Sequence, residues 1–186
     1  MCAYNYKGWS YLDRCQRISN YIVSFDTFML QPIYQDNKIS TRVIERNGEI
    51  YIPRKPIHII KKSCEYYGGS LQNSTNSARL TLRKRHKTPI IIANDFGKPC
   101  IFLPTISPNS EQNVWFLYHA IDNIESNPLG CTVYMENNRS FKVNISATTM
   151  YRQYAFCSIL EKDFLKKQKQ LSRPSSFMEF NDFNNR

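Results

Sequence analysis

Two runs of strand-forming residues flank an Asn-Gly pair in the first third of the chain. The first run is residues 40–45 (STRVIE) and the second is residues 49–52 (EIYI), with Asn47 and Gly48 between them. Asn and Gly favour the tight turns that connect two antiparallel strands, and β-branched or aromatic side chains fit a pleated sheet. The pattern therefore predicts a β-hairpin, which makes antiparallel sheet part of the fold.

Two further hairpins are predicted later in the chain, where strand-forming residues again flank short polar turns. Both strands of the earlier one are apolar throughout, so we expect each to be buried on both faces. The paired segments are residues 90–93 with 100–103 around a turn at 94–97, and residues 130–136 with 140–145 around Asn137-Asn138.

Strand formers also occur outside these hairpins. Residues 21–25 and 27–30 are rich in them, with Asp26 as an interruption, and Gln35-Asp36-Asn37 is a turn signal because Asn and Asp bond their own backbone. Residues 113–121 (NVWFLYHAI) form another apolar candidate. Each of these segments predicts further sheet.

Helical spacing occurs in two places. Ile57, Ile60, Cys64 and Tyr67 recur at intervals of three and four, after a proline suited to a first helical position, which predicts a short amphipathic helix from Pro56 to Tyr67. A strand through Ile57 to Ile60 is the alternative. Apolar residues repeat in the same way from Ala147 to Leu171, which predicts a long C-terminal helix.

These elements predict one α+β domain of antiparallel hairpins with a short central helix and a C-terminal helix. The 186 residues are enough for a single core without disulfide or metal staples. We expect an N-terminal extension at residues 1–17, the folded domain at 18–171, and a flexible tail at 172–186. No apolar run approaches the ~20 residues that span a bilayer, and no secretory signal pattern opens the chain, so we expect a cytoplasmic protein.

Positive charge is concentrated between Pro53 and Lys87. This stretch holds nine of the 25 basic residues and one of the 15 acidic residues, in a chain of net charge +10. Such a block attracts polyanions, of which nucleic acid is the commonest, although a solvated basic face is the alternative. Short polar side chains between the basic ones can reach phosphates or base edges. The candidate contacts are Lys61, Lys62, Ser70, Gln72, Asn73, Asn76, Arg79, Arg83, Lys84, Arg85 and Lys87.

Residues 70–77 (SLQNSTNS) separate the predicted central helix from the last basic cluster. A helix, a Gly68-Gly69 break and a polar segment resemble helix-turn-helix only loosely, because Asn, Ser and Thr favour turns over a recognition helix. A loop or β-ribbon that carries Arg and Lys into a groove fits this composition at least as well. Narrow A·T-rich minor grooves, with their enhanced negative potential, are its natural targets.

Catalytic and metal motifs are missing from the sequence. Cys64 and His58 are the one thiol and imidazole close in sequence, but six residues apart they face different sides of a helix, and Cys64 falls on the apolar face. His119 alternates within an apolar segment. No Walker loop, G-x-G-x-x-G or H-x-E pattern occurs, and the six cysteines form no C-x-x-C pair. We expect no enzymatic activity, cofactor or metal.

Two segments resemble the ComK family of bacterial competence transcription factors. The shared order is an Asn-Gly hairpin, Lys-Pro with an apolar run, S-C-x-aromatic-aromatic-G-x-S, then H-K-x-P-I and a hairpin that ends in F-L-P-T. The resemblance is close over residues 18–121 and looser beyond, and at 72–76 this chain has QNSTN where the family often has more Gly and Arg. The segments are STRVIERNGEIYIPRKPIHIIKKSCEYYGGS and HKTPIIIANDFGKPCIFLPT, followed by Trp115.

The resemblance implies a DNA-binding activator of competence genes. It implies binding to pairs of A/T-rich boxes in duplex DNA through the minor groove, as a homo-oligomer that bends the DNA. For some members it also implies an adaptor that binds a Phe-Met tail motif and delivers the protein to a Clp protease. Phe177-Met178 matches the start of such a motif, whereas Glu179-Phe180 departs from its continuation.

Other interpretations stay open at this point. An RNA-binding module would use Tyr66, Tyr67 and Phe102 as stacking platforms for single-stranded bases. A non-enzymatic interaction protein would present the basic face to an acidic partner. The tail residues Phe177, Met178 and Phe180 either pack on the globule or fill a partner's groove.

Overall fold

The computed structural model describes residues 20–35, 38–83 and 87–171. Within them the chain forms three α-helices, α1 at Pro56–Tyr66, α2 at Leu71–Thr81 and α3 at Ala147–Leu171. It also forms nine strands, β1 at Thr27–Gln35, β2 at Lys38–Glu45, β3 at Gly48–Ile52, β4 at Ile90–Asp95, β5 at Lys98–Pro104, β6 at Trp115–Leu117, β7 at Ile121–Asn127, β8 at Gly130–Met135 and β9 at Ser140–Val143.

The strands form two antiparallel sheets. The larger has six strands in the order β3-β2-β1-β6-β5-β4, and the smaller has three in the order β7-β8-β9. Two three-stranded units meet in the larger sheet at the β1–β6 junction, where Met29 pairs with Phe116 and Leu30 with Trp115. Successive side chains of a strand point to opposite faces. All three residues of β6 are buried, so both faces of the sheet are covered there.

The three helices surround the core that these strands create. α1 contacts β1 and β4, α2 contacts β4, and α3 contacts β5 of the larger sheet together with β7 and β8 of the smaller one. α3 is a long amphipathic helix, and its buried face therefore packs against both sheets. The mixture of antiparallel hairpins, a central helix and a C-terminal helix confirms the predicted α+β fold. None of the helices in the described ranges is long and apolar enough to cross a membrane.

All three predicted hairpins form. β2 and β3 pair from Thr41–Ile52 to Glu45–Gly48, so Arg46 and Asn47 make the turn. Between β4 and β5 the turn is Phe96-Gly97, with φ of 44° and 83°, and positive φ at both positions is the type I′ geometry whose twist matches that of the paired strands. The expected burial of residues 90–93 on both faces is met fully on one face only, since Ile90 and Ile92 are buried while Ile91 and Ala93 are half-buried. β4 lies at the sheet edge, whereas β5 is buried on both faces.

The single-strand predictions need correction. Residues 21–25 are not a strand, since β1 begins at Thr27, and the Tyr21 hydroxyl lies 2.6 Å from Thr27 Oγ1. The segment 113–121 gives only three strand residues, Trp115–Leu117, before a 3₁₀ turn at Tyr118–Ala120. β7 was not predicted at all, because only Ile121 and Ile124 of its seven residues are apolar and buried.

The two predicted helices form close to their expected bounds. α1 ends at Tyr66, one residue earlier than predicted, and Gly68 follows with φ of 80°, a conformation that glycine adopts without a steric penalty. The strand alternative for Ile57 to Ile60 is wrong. α3 has the predicted bounds. The predicted extension at 1–17 and tail at 172–186 lie outside the described residues, as do Asp36 and Asn37 of the first predicted turn.

Candidate nucleic-acid interface

Residues 71–81 form helix α2, not the predicted loop or β-ribbon. Ser70 caps it, since its hydroxyl oxygen accepts a hydrogen bond of 3.1 Å from the Asn73 N–H. The buried or half-buried positions Leu71, Thr75, Ala78 and Leu82 recur at helical spacing. The preference of Asn, Ser and Thr for turns is therefore outweighed by a cap and by packing against the rest of the fold.

The inner face of α2 is fixed by a few contacts. Ala78 and Leu82 are buried, with exposed fractions of 3% and 6%. The Ser74 side chain lies near the Cys64 thiol of α1 and lowers its pKa, against the larger rise that burial causes. The Thr81 hydroxyl donates a 2.9 Å hydrogen bond to Asp163 of α3. Contacts to α1, β4 and α3 thus set the rotation of α2 about its own axis and decide which side chains point outward.

The outer face of α2 carries amides and guanidinium groups. Gln72, Asn76, Arg79 and Arg83 follow one another at steps of four, three and four, so they form one stripe along the helix and just past its end. Gln72 donates a 3.0 Å hydrogen bond from Nε2 to Asn76 Oδ1, which orders the stripe. The exposed residues of this surface, which we call the α2 stripe, are Gln72, Asn73, Asn76, Arg79 and Arg83.

The remaining predicted contacts fall into different places. Lys61 and Lys62 are exposed on α1, where the Lys61 ammonium lies 3.9 Å from Glu65. Ser70 is half-buried as the cap of α2, and Lys87 is half-buried just before β4. Lys84 and Arg85 lie outside the described residues, as do the tail residues Phe177, Met178 and Phe180. The structure therefore brings together five of the predicted residues in the α2 stripe.

Arg83 has a left-handed backbone, with φ of 55°. It follows Leu82, whose N–H completes the helix by bonding the Ala78 carbonyl. A left-handed residue at this place ends a helix and turns the chain away from its axis. Arg79, in the last turn, places a positive charge next to the negative end of the helix dipole, which is a favourable position.

Sequence reasoning missed one member of this surface. Leu80 lies among the polar residues with 76% of its surface exposed, while its neighbour Leu82 is buried. An alternating Leu-x-Leu pattern suggests a strand in which both leucines share a face. Helical periodicity counted from Leu71 and Ala78 would have separated them, since it reaches Leu82 and not Leu80.

Cys64 and His58, the thiol and imidazole that lie six residues apart in the sequence, do not form an activated catalytic pair. Cys64 is fully buried, and burial raises the pKa of its thiol to about 11 because the thiolate loses hydration. His58 is exposed. His119 is partly buried, which lowers its pKa, and its Nε2 lies 3.1 Å from the Pro99 carbonyl oxygen and 3.4 Å from Glu161 Oε1. His119 is thus a structural histidine whose ring nitrogen has partners within the fold.

The proposed stacking platforms are only partly accessible. Tyr66 and Tyr67 are 70% and 44% exposed and pack edge to face, with ring centroids 5.1 Å apart. The Tyr67 hydroxyl also donates a 2.9 Å hydrogen bond to the Val23 carbonyl, which holds its ring against the fold. Phe102 is fully buried in β5 and cannot stack on a base. Tyr66 is the most exposed of the three aromatic side chains.

This chain is similar in sequence to a known protein family and to a curated relative. The ComK protein family model matches residues 18–169. A curated relative, the competence transcription factor of Bacillus subtilis (strain 168), is 24% identical over 137 residues, which cover 73% of this chain and 70% of that protein. No solved structure matches significantly. Since the family match covers both sheets, α1, α2 and all but the last two residues of α3, this chain belongs to the ComK family.

Proposed function

We propose that this protein binds duplex DNA and activates transcription of genes for genetic competence, the uptake of DNA. Family membership and the name of the Bacillus subtilis relative support the biological role. The observation that carries the molecular role is the α2 stripe, which presents three amides and two guanidinium groups on one exposed helix face. No catalysis, cofactor or metal is part of the proposal.

The chemistry of the stripe matches a nucleic-acid surface. Arginine forms bidentate hydrogen bonds with phosphate oxygens, and Gln and Asn have the donor and acceptor pair that reads base edges. In α1 and α2 only one acidic residue, Glu65, accompanies these groups, and it lies beside Lys61. On a positively charged surface of this kind, contacts to the phosphate backbone supply most of the affinity, and contacts to base edges supply the sequence specificity.

We propose A/T-rich duplex as the target, with contact through the minor groove. An α-helix with its side chains is ~10–12 Å across, whereas an undistorted minor groove is about 6 Å wide. The body of α2 therefore lies over the groove, and the long side chains of Arg79 and Arg83 enter it. Narrow A/T-rich grooves attract such arginines because their negative potential is enhanced.

Assembly and turnover extend the proposal. Binding to paired boxes requires a homo-oligomer on DNA, because one α2 stripe covers one groove. Phe177, Met178 and Phe180 in the tail are the proposed docking residues for an adaptor of a Clp protease. Both steps place the protein in the cytoplasm with the chromosome.

A salt titration tests the proposal. If about five phosphates are neutralised per subunit, log K for a 20-bp A/T-rich duplex falls with log salt at a slope of about −4 to −5. A G/C-rich duplex and a single-stranded RNA of equal length are compared at the same salt. Preference for the A/T-rich duplex supports the proposal. A flat salt response contradicts it, and tighter RNA binding favours the alternative that Tyr66 supports, an RNA-binding module.

If the wild-type protein binds no nucleic acid, the basic face belongs to an interaction protein with an acidic partner. Transcription of a competence promoter in the presence and absence of the protein tests activation separately from binding. DNA binding without an increase in transcript would restrict the function to binding.

A further inference from the structure

A second basic surface lies away from the α2 stripe, between the β1–β2 hairpin and the start of α1. It is an open groove of about 920 Å³. Its lining brings together cations from segments that are far apart in the sequence, together with an exposed tyrosine and one carboxylate. The residues that matter are Tyr34, Lys38, Arg54, Lys55, His58 and Glu111.

One wall of the groove is a two-stranded ribbon that extends past the rest of the sheet. β6 pairs with β1 only at Met29 and Leu30, and the pairing of β3 with β2 stops at Thr41. Farther out, within the described residues, β1 and β2 pair only with each other, up to Gln35 and Lys38. The ribbon carries Tyr34, 58% exposed, and the exposed Lys38.

The opposite wall is held in place by backbone contacts. The Thr41 hydroxyl donates a 2.6 Å hydrogen bond to the Arg54 carbonyl, and the Arg54 N–H bonds the Ile52 carbonyl at 2.8 Å. The Arg54 side chain stays exposed beside the first turn of α1, which has no acidic residue. The backbone is thus ordered while the guanidinium group is free to meet a ligand.

The groove has more positive charge than its own carboxylate can balance. Glu111 pairs with Lys55, with Nζ and Oε1 2.5 Å apart. Among the described residues, neither Lys38 nor Arg54 has an acidic partner. A smaller cavity of about 190 Å³ shares Lys55, His58 and Glu111 and reaches Asn113 and Trp115, whose Nδ2 and Nε1 donors have no acceptor. The site is rich in donors and poor in acceptors, which fits an anion.

We propose that this groove binds the phosphate backbone of the same duplex, beside the segment that the α2 stripe contacts. The inference rests on the proposed function. An extended polyanion fits this groove better than a small ligand, because the groove is open and carries Lys38 on one wall and Arg54 on the other. Phosphate contacts of this kind position the protein and carry no base information. In the free protein the Glu111 carboxylate forms an ion pair with Lys55, so Glu111 competes with the DNA phosphates for this cation.

The spacing gives the arrangement on DNA. α1 has 11 residues, which makes it ~16 Å long, and it separates the groove from the turn before α2. That length corresponds to about five base pairs at 3.4 Å per step. With α1 placed along the duplex in this proposal, the groove extends the contacted segment by about half a helical turn at one end.

The test uses the full chain and a 20-bp A/T-rich duplex with random flanks. The Lys38→Ala/Arg54→Ala double variant should weaken binding about tenfold for every sequence and make the salt slope shallower by about 2. Lys142→Ala, an exposed lysine on β9, is the matched control and should leave both quantities unchanged. Glu111→Gln should tighten binding several-fold, a gain that misfolding cannot produce.

A hydroxyl-radical footprint supplies the positional readout. The double variant should lose protection over about five base pairs at one end, while the central protection from α2 remains. If the double variant binds and protects like Lys142→Ala, or if only RNA binding responds, the inference is overturned while the proposed function stands. If wild-type protein binds no DNA, the proposed function fails first, and the inference with it.

Discussion

α1 and α2 are consecutive helices of 11 residues each, yet they are held in opposite ways. Five residues of α1 are buried, Pro56, Ile59, Ile60, Ser63 and Cys64, whereas Ala78 is the one such residue of α2. Full burial of an isoleucine stabilises a fold by about 1.5–3 kcal/mol, so α1 is anchored by the core. α2 depends on a cap, one buried alanine and a few polar contacts. The helix that contributes least to the core has the outer face that is free to bind.

The largest expected effect of this difference is on stability. Ile60→Ala removes a fully buried side chain of α1 and should lower the free energy of unfolding by about 2–5 kcal/mol. Leu80→Ala, on the exposed face of α2, should change it by less than about 0.5 kcal/mol. Urea denaturation followed by circular dichroism measures both. Equal losses in the two variants would mean that the outer face of α2 is buried in solution, which would contradict the contrast between a core-anchored α1 and an exposed α2.

The same contrast explains what the sequence predicted and what it did not. α1 and α3 have apolar residues at helical spacing, and the hairpins have local turn signals such as Asn47-Gly48 and Phe96-Gly97. These signals depend on near neighbours, so the ends of these elements were predicted to within two residues. α2 has little local preference for a helix and takes its form from α1, β4 and α3. Its helical state could not follow from residues 70–77 alone.

The candidate site was predictable in composition but not in arrangement. Gln72, Asn76 and Arg79 were identified as nucleic-acid contacts, and the helix is what aligns them in one stripe. The second basic groove was missed because Lys38, Arg54 and Glu111 come from a ribbon, a loop and a distant turn. Only the register of β1 with β2 and the position of α1 bring such residues together, and neither is encoded locally.

A smaller effect is expected on DNA affinity, when side chains on the exposed face of α2 are removed and its buried face is left intact. Arg79→Ala/Arg83→Ala removes two exposed guanidinium groups and should weaken binding to A/T-rich duplex roughly 10-fold to 100-fold, since an exposed group contributes about 0.5–1.5 kcal/mol through a hydrogen bond. The salt slope should become shallower by about 2. Fluorescence anisotropy at several salt concentrations measures both, and the unfolding free energy should stay nearly constant.

Arg152→Ala is the matched control for that pair, because Arg152 is an exposed arginine on α3. Its replacement lowers the net charge without touching the α2 stripe. If Arg152→Ala reduces the affinity as much per charge as the α2 variant, overall charge governs binding, and the stripe has no special role.

The smallest expected effect is at the cap of α2. Ser70→Ala removes the side-chain acceptor for the Asn73 N–H and should lower the free energy of unfolding by about 1 kcal/mol. Because α2 has few buried contacts, the loss should appear mainly as local opening. Amide hydrogen exchange should become faster in α2 while α1, anchored by the core, keeps its rates.

Ser77→Ala is the control, since Ser77 is exposed within the same helix and alanine is the better helix former. It should leave exchange in α2 unchanged or slow it slightly. If Ser70→Ala instead speeds exchange equally in α1 and α2, the two helices open as one unit. The weakly buried helix would then share the stability of its neighbour through the Cys64–Ser74 contact, and its outer face would bind DNA on a rigid support.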